Sequence, residues 1–352
     1  MPRCSKPPHG YLKVFAICAF LFLSLITGSF WEYPFDAPSP LIDQGVGLHS
    51  GLLGATRYVH DPAIIKSGGI YYVFSTGIGI PVRQSADLRT WRKAQPGKVF
   101  QEMPDFAHAI VPNQFDIWAP DISYFNGRYH LYYSVSTFGS NRSVIGLTTN
   151  STLDAENEAF NWIDEGIVIE STSNNNYNCI DPNLILDTSG TPWLAFGSFW
   201  SGIKLRRLDY NTGKLALGDS KTYALAQRFV NNGAIEGAYI FHKGDNYYLF
   251  TSFDSCCQGR DSTYNVRVGR SKVITGPYID RDGVAMLKGG GTQVTFYSER
   301  WRGPGHNSLI EDGGVDYMVY HAYDAQNSGI PTLQIDRLNW GDDGWPWTDP
   351  KW

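Results

Sequence analysis

A chain of 352 residues, 42% hydrophobic and 18% charged, can bury a large core in one or two domains. Its net charge of −5 and pI near 5.9 argue against nucleic acid as a partner, which needs basic patches. The 37 Gly, 21 Tyr and 11 Trp suit an all-β chain of short strands and tight turns, and hint at carbohydrate binding.

In chain order the first element is a leader. Arg3, Lys6 and Lys13 precede the apolar run VFAICAFLFLSLI at 14–26, and the small residues Thr27, Gly28 and Ser29 follow. That run is short for a membrane span, so residues 1–29 read as a secretory signal peptide, with an uncleaved anchor as the alternative. Residues 30–352 are then the expected secreted protein, with no membrane attachment after cleavage. Cys4 and Cys18 leave with the leader, whereas Cys179, Cys256 and Cys257 remain at no metal-binding spacing. Either Cys179 bridges to one of the adjacent pair, or all three are buried thiols. Sequons at Asn141 and Asn150 are compatible with secretion.

The next element, YVHDPAIIKSGGIYYVFSTG at 58–77, is a β-hairpin with a Ser-Gly-Gly turn. Its pattern of polar residue, short apolar strand, glycine turn and aromatic strand recurs four times. The further copies are APDISYFNGRYHLYYSV (119–135), IDPNLILDTSGTPWLAFGS (180–198), EGAYIFHKGDNYYLFTS (236–252) and GHNSLIEDGGVDYMVYHAY (305–323). The polar leaders are Asp61, Asp121, Asp181, Glu236 and the pair His306-Asn307, spaced by 60, 60, 55 and 70 residues. Repeats of this size holding several strands match propeller blades. The expected fold is therefore all-β, a five-bladed β-propeller forming a single domain; a β-sandwich is the alternative, but it gives no reason for five similar phrases.

If each phrase begins with an innermost strand, the leaders gather at one mouth of the central channel. A lone Asp-Pro before a strand is an ordinary turn former. Several carboxylates in register are different, because bringing them together is electrostatically costly and raises some of their pKa values, a cost found at functional sites. Two chemistries fit: a hard cation held by oxygens, or glycoside hydrolysis by a carboxyl pair. No serine-hydrolase, zinc-protease or phosphate-loop motif stands in a fitting context, and the glycines of KGGGT (288–292) read as a turn.

In this order and spacing, HDPAI, WAPDIS, IDPNL, IEGAY and GPGHNS resemble the five-bladed propeller enzymes of glycoside hydrolase family 43, over nearly the whole chain from about residue 50. The likeness is greatest to its endo-1,5-α-L-arabinanases. The resemblance implies inversion by single displacement, with Asp61 as general base, Glu236 as general acid, and Asp181 raising the pKa of the acid and orienting it. It implies a channel-facing His306 near an ion, often calcium, held mostly through water and not needed for the chemistry. Residues near these motifs are candidate substrate contacts: Trp118 and Phe199 by stacking, Asp121, Asn178, Asn183 and Ser198 by hydrogen bonds. The implied partners are arabinan and arabino-oligosaccharides, acted on by a monomer. Exo-acting α-L-arabinofuranosidases or β-xylosidases on the same fold, and a non-catalytic carbohydrate-binding propeller, are the alternatives.

Overall fold

The computed structural model describes residues 51–349. The leader, with Cys4 and Cys18, and the segment 30–50 lie outside the described residues. Five antiparallel sheets follow one another along the chain, and each begins with one of the repeated phrases. Blade 1 runs from Ala63–Ser67 through Ile70–Phe74 and Pro81–Ser85 to Thr90–Lys98. Blade 2 comprises Asp116–Phe125, Arg128–Val135, Ser143–Asn150 and Ile163–Ser171. Blade 3 comprises Asn183–Leu186, Pro192–Phe196, Ile203–Arg207 and Tyr223–Ala226. Blade 4 comprises Ile235–Lys243, Asn246–Phe253, Asn265–Ser271 and the short Thr292–Gln293. Blade 5 has three strands, Trp301–Asp312, Val315–Asp324 and Ile330–Arg337.

The first strand of each blade contacts the first strands of both neighbouring blades, so five inner strands close a ring. This is the expected five-bladed β-propeller. The apolar core is divided among the blade interfaces because each sheet buries both faces against its neighbours. Trp193, Leu205 and Ile203 of blade 3, for instance, pack with Ile240 and Leu249 of blade 4. Blade 5 meets blade 1 through Val319, Leu333 and Ile335 against Ile64, Val73 and Trp91.

Closure of the ring depends on residues 51–59. Leu333 N–H donates to Thr56 O at 2.8 Å and Val59 N–H to Pro331 O at 3.2 Å, so this stretch adds a short outer edge to the three-stranded blade 5. Leu53–Gly54 pairs in parallel with Thr90–Lys98 of blade 1. One early stretch of chain thereby ties the last blade to the first.

The cysteine expectation is corrected. Cys256 and Cys257 are bonded to each other, and Cys179 is a free, buried thiol that burial pushes up to about 12. Both sequon asparagines are buried: the Asn141 amide donates to the carbonyls of Thr172, Asn175 and Tyr177 at 2.9–3.2 Å, and Asn150 is wholly enclosed. Neither presents its amide to solvent in the folded chain.

Candidate active site

The inner strands begin alike in backbone as well as in sequence. Asp61, Ala119, Asp181, Gly237 and His306, one per blade, all have φ between +44° and +57°. This left-handed conformation is uncommon for residues other than glycine and tends to mark functional sites. In four blades the N–H of that residue donates to a side chain near the end of the preceding blade's second strand. Ala119 donates to Thr76 Oγ1, Asp181 to Ser134 Oγ, His306 to Ser252 Oγ and Asp61 to His321 Nδ1, at 2.8–3.1 Å. Blade 4 is the exception. Gly237 N–H donates to Asp181 Oδ2 at 3.0 Å, which leaves the equivalent Ser198 hydroxyl to donate to Glu236 Oε2 at 2.6 Å. The bare glycine matters here, since a Cβ at residue 237 would stand 3.2 Å from His306 Nδ1.

This register corrects part of the sequence reading. The true counterpart of Asp61 and Asp181 in blade 2 is Ala119, and Asp121 lies two residues further on, level with Asn183. Asp121 accepts from Asn183 Nδ2 at 3.0 Å and Leu184 N–H at 2.8 Å, and Asn183 Oδ1 accepts from Ile240 N–H at 2.8 Å. These two side chains tie blades 2, 3 and 4 together beneath the mouth, and neither lines the cleft. Burial pushes Asp121 up to about 6, against the two hydrogen bonds that favour its carboxylate.

Asp61, Asp181, Glu236 and His306 do line one cleft of about 900 Å³, together with Trp118, Asn178, Ser198 and Phe199. The volume is near the upper end for ligand-binding pockets, enough for several pentose units. Trp118 packs on Phe138 with ring centroids 5.1 Å apart, and Phe138 is 79% exposed. Nothing in the repeat pattern signals Phe138, which stands on a loop after the second strand of blade 2. Asn178 Oδ1 accepts from the Ser143 hydroxyl at 2.6 Å, which holds it at the wall.

Electrostatics separate the three carboxylates. Burial would raise Asp61, but His60 Nδ1 at 2.8 Å and His306 Nδ1 at 3.1 Å hold it well below the usual carboxylate range. Thr76 also donates to Asp61 Oδ2 at 2.5 Å. Asp181 goes the other way: burial, opposed by His306 and reinforced by Glu236 and Asp61, pushes it up to about 7. Burial disfavours a charged His306, yet Asp61, with Asp181 and Glu236, pushes it up to about 9. At neutral pH the ring therefore carries a cation bonded to an ionised Asp61.

Glu236 is gripped by two hydroxyls, Ser198 on Oε2 and Tyr264 on Oε1 at 2.8 Å. Hydroxyls donate or accept, so they can hold the carboxyl in either protonation state. Tyr264 is buried and can reach because Gly305 leaves room; a Cβ there would collide with the tyrosine ring. Tyr264 belongs to no repeated phrase, and only the folded chain reveals it.

Such a mouth, with one carboxylate held ionised, a second raised, and a third clasped by hydroxyls beside aromatic rings, belongs to the propeller glycoside hydrolases. The chain is a member of glycoside hydrolase family 43, whose model, described as Glycosyl hydrolases family 43, matches residues 55–346. It is similar to the Extracellular endo-alpha-(1->5)-L-arabinanase 1 of Bacillus subtilis (strain 168), 46% identical over 297 residues, 83% of this chain and 88% of the relative. It also resembles the Extracellular exo-alpha-(1->5)-L-arabinofuranosidase ArbA of Cellvibrio japonicus (strain Ueda107), 42% identical over 83% of this chain and 87% of the relative. A solved GH43 endo-arabinanase from Bacillus licheniformis matches with a TM-score of 0.78 at 47% identity, covering 84% of this chain and 99% of that one.

Proposed function

We propose that this protein is a secreted, monomeric endo-1,5-α-L-arabinanase that cleaves internal bonds of arabinan with inversion. The observation that carries the reading is that Asp61, Asp181 and Glu236 face one roomy cleft in opposed electrostatic settings. Asp61, ionised across the physiological range, takes a proton from the water that attacks the anomeric carbon. Glu236 gives its proton to the departing glycosidic oxygen, and the hydroxyls of Ser198 and Tyr264 keep its carboxyl aimed. Asp181 accepts from Gly237 N–H and so fixes the backbone that carries the acid. No covalent intermediate forms, because water and the acid act in one displacement.

Trp118 and Phe138 offer a stacking face for pentose rings along the cleft. Similarity to an arabinanase named extracellular supports both the substrate and the expected secretion. The exo-acting alternative is kept alive by the likeness to an exo-α-L-arabinofuranosidase.

The channel ion expected near His306 fits these residues only through water. His306 Nδ1 already faces Asp61 Oδ1, and the group of possible metal-ligating side chains found among the described residues, His60, Asp61 and His321, does not include it. His306 would hold such an ion through its remaining ring nitrogen. Positive charge there would reinforce the ionisation of Asp61.

Incubation with debranched arabinan tests the reading. Short oligosaccharides at early times, with the new reducing end formed as the inverted anomer by proton NMR, are the expected result. Arabinose alone from the outset would replace endo with exo action, and a retained anomer would remove the single-displacement mechanism.

A further inference from the structure

The loop between the second and third strands of blade 4, residues 254–264, is linked to both halves of the proposed catalytic pair. Its far end supplies Tyr264, which holds Glu236 directly, and its middle reaches Asp61 only through Tyr323 and His60. Its middle carries the Cys256–Cys257 disulfide, which lines the cleft. We infer that this loop is the anchor of a polarised hydrogen-bond relay, Cys257 to Tyr323 to His60, that orients the carboxylate of Asp61, with Tyr323 and His60 as positioning residues. The inference rests on Asp61 being the general base.

The direction of the relay follows from its first atom. A backbone N–H can only donate, and that of Cys257 lies 2.7 Å from the Tyr323 hydroxyl oxygen. Ser262 braces the loop beside it, its oxygen accepting from Gln258 N–H at 3.0 Å. Having accepted, Tyr323 has one proton left to give, and His60 Nε2 stands 2.8 Å away. An accepting Nε2 places the ring proton of a neutral His60 on Nδ1, which faces Asp61 Oδ2 at 2.8 Å. One peptide N–H thus selects the tautomer that donates to the base.

The rest of the surroundings hold the relay still. The His60 ring stacks on the fully buried His321 at a centroid distance of 3.9 Å, and His321 Nδ1 accepts from Asp61 N–H. Tyr323 is buried. The ends of the loop are pinned by backbone bonds, Asp254 N–H to Ala234 O, and Thr263 and Tyr264 N–H to Ser255 O. Its middle is held differently. Cys257 is exposed and sits at φ +65°, a conformation a side-chain-bearing residue seldom keeps unless its surroundings impose it. The covalent link to Cys256 supplies that constraint, and Cys257 Sγ also lies 3.8 Å from His60 Nε2.

Steady-state kinetics on debranched arabinan test this, with Asp61→Asn as reference. Losing the hydroxyl that sets the His60 tautomer predicts that Tyr323→Phe lowers kcat about tenfold, and losing one bond to the charged Asp61 predicts that His60→Leu lowers it up to about 100-fold, with KM nearly unchanged. His60→Asn, whose amide can still donate to Asp61, should recover about tenfold over His60→Leu, and adding Tyr323→Phe to it should have no further effect. Dithiothreitol should lower the wild-type kcat toward that of Tyr323→Phe, forming two protein thiols and cyclic oxidised dithiothreitol, and leave Cys256→Ser/Cys257→Ser unaffected. A Tyr323→Phe variant with wild-type kcat beside an inactive Asp61→Asn overturns the relay alone. A fully active Asp61→Asn removes the base assignment and the relay with it. Unchanged wild-type kcat after complete reduction removes the disulfide from the role of anchor.

Discussion

Replacing Asp181 with Asn is expected to abolish activity and at the same time stabilise the fold, by an amount that grows with pH. Asp181 is almost fully buried, and its carboxyl is raised from 3.8 to about 7. The unfolded chain ionises at the ordinary value. Below about pH 4 both states are neutral there and the group is without effect. Between pH 4 and 7 the unfolded state loses its proton while the folded state keeps it, so wild-type stability falls as pH rises. Above pH 7 the folded carboxyl ionises too and the loss is complete. A shift of roughly three pKa units corresponds to about 4 kcal/mol in all, of which about 3 kcal/mol accrues between pH 4.5 and 8. Asn does not titrate, and its carbonyl oxygen can still accept from Gly237 N–H. Urea unfolding of wild type and variant at pH 4.5 and pH 8 reads the difference directly. The stability gap should open by about 3 kcal/mol toward the higher pH. A gap that stays constant, or closes, would refute the argument that burial and neighbouring carboxylates load this site.

The other predictions concern separate parts of the molecule. Glu236→Ala and Asp61→Ala should each lower kcat by at least about 100-fold; Glu236→Ala should keep the thermal midpoint within a few degrees, whereas Asp61→Ala also strips His60, His306 and Thr76 of their shared acceptor and should lower it further. Asp121→Ala leaves Leu184 N–H and the Asn183 amide without their acceptor, so it should cost about 2–4 kcal/mol of stability with KM unchanged; a raised KM would return Asp121 to the substrate. Trp118→Ala should raise KM for arabino-oligosaccharides several-fold, losing about 1 kcal/mol of stacking and apolar contact, read by initial rates. In the denatured but unreduced chain 30–352, one thiol should react with a maleimide, against three after reduction, and two or more before reduction would remove the adjacent disulfide.

Much of the site was legible because it repeats. Asp61, Asp181 and His306 stand at equivalent places in the repeated phrases, with Glu236 one residue before the equivalent Gly237, and a propeller turns equivalence along the chain into proximity in space. Asp121 shows the limit of that logic. Phrases aligned on their acidic residues put it among the leaders, whereas the backbone alignment, set by the residue with positive φ, puts Ala119 there. Two residues along a strand keep the same face but move a side chain down the channel, from the mouth to the ties between blades. Tyr264, Tyr323 and the bonded pair Cys256–Cys257 lie outside any such alignment, or carry no sign of their use within it.

The sequence by itself determined the repeat, and with it the fold and the three carboxylates, because apolar patterning and turn glycines act locally and recur. Only the tertiary structure decided which side chains surround those carboxylates, and hence that Asp61 is held ionised while Asp181 is raised. Those differences arise from burial and from charges far apart along the chain, such as His306 beside Asp61. The ring closure had the same character: residues 51–59 carry no strand pattern of their own, and they acquire a place only when blade 5 offers them an open edge.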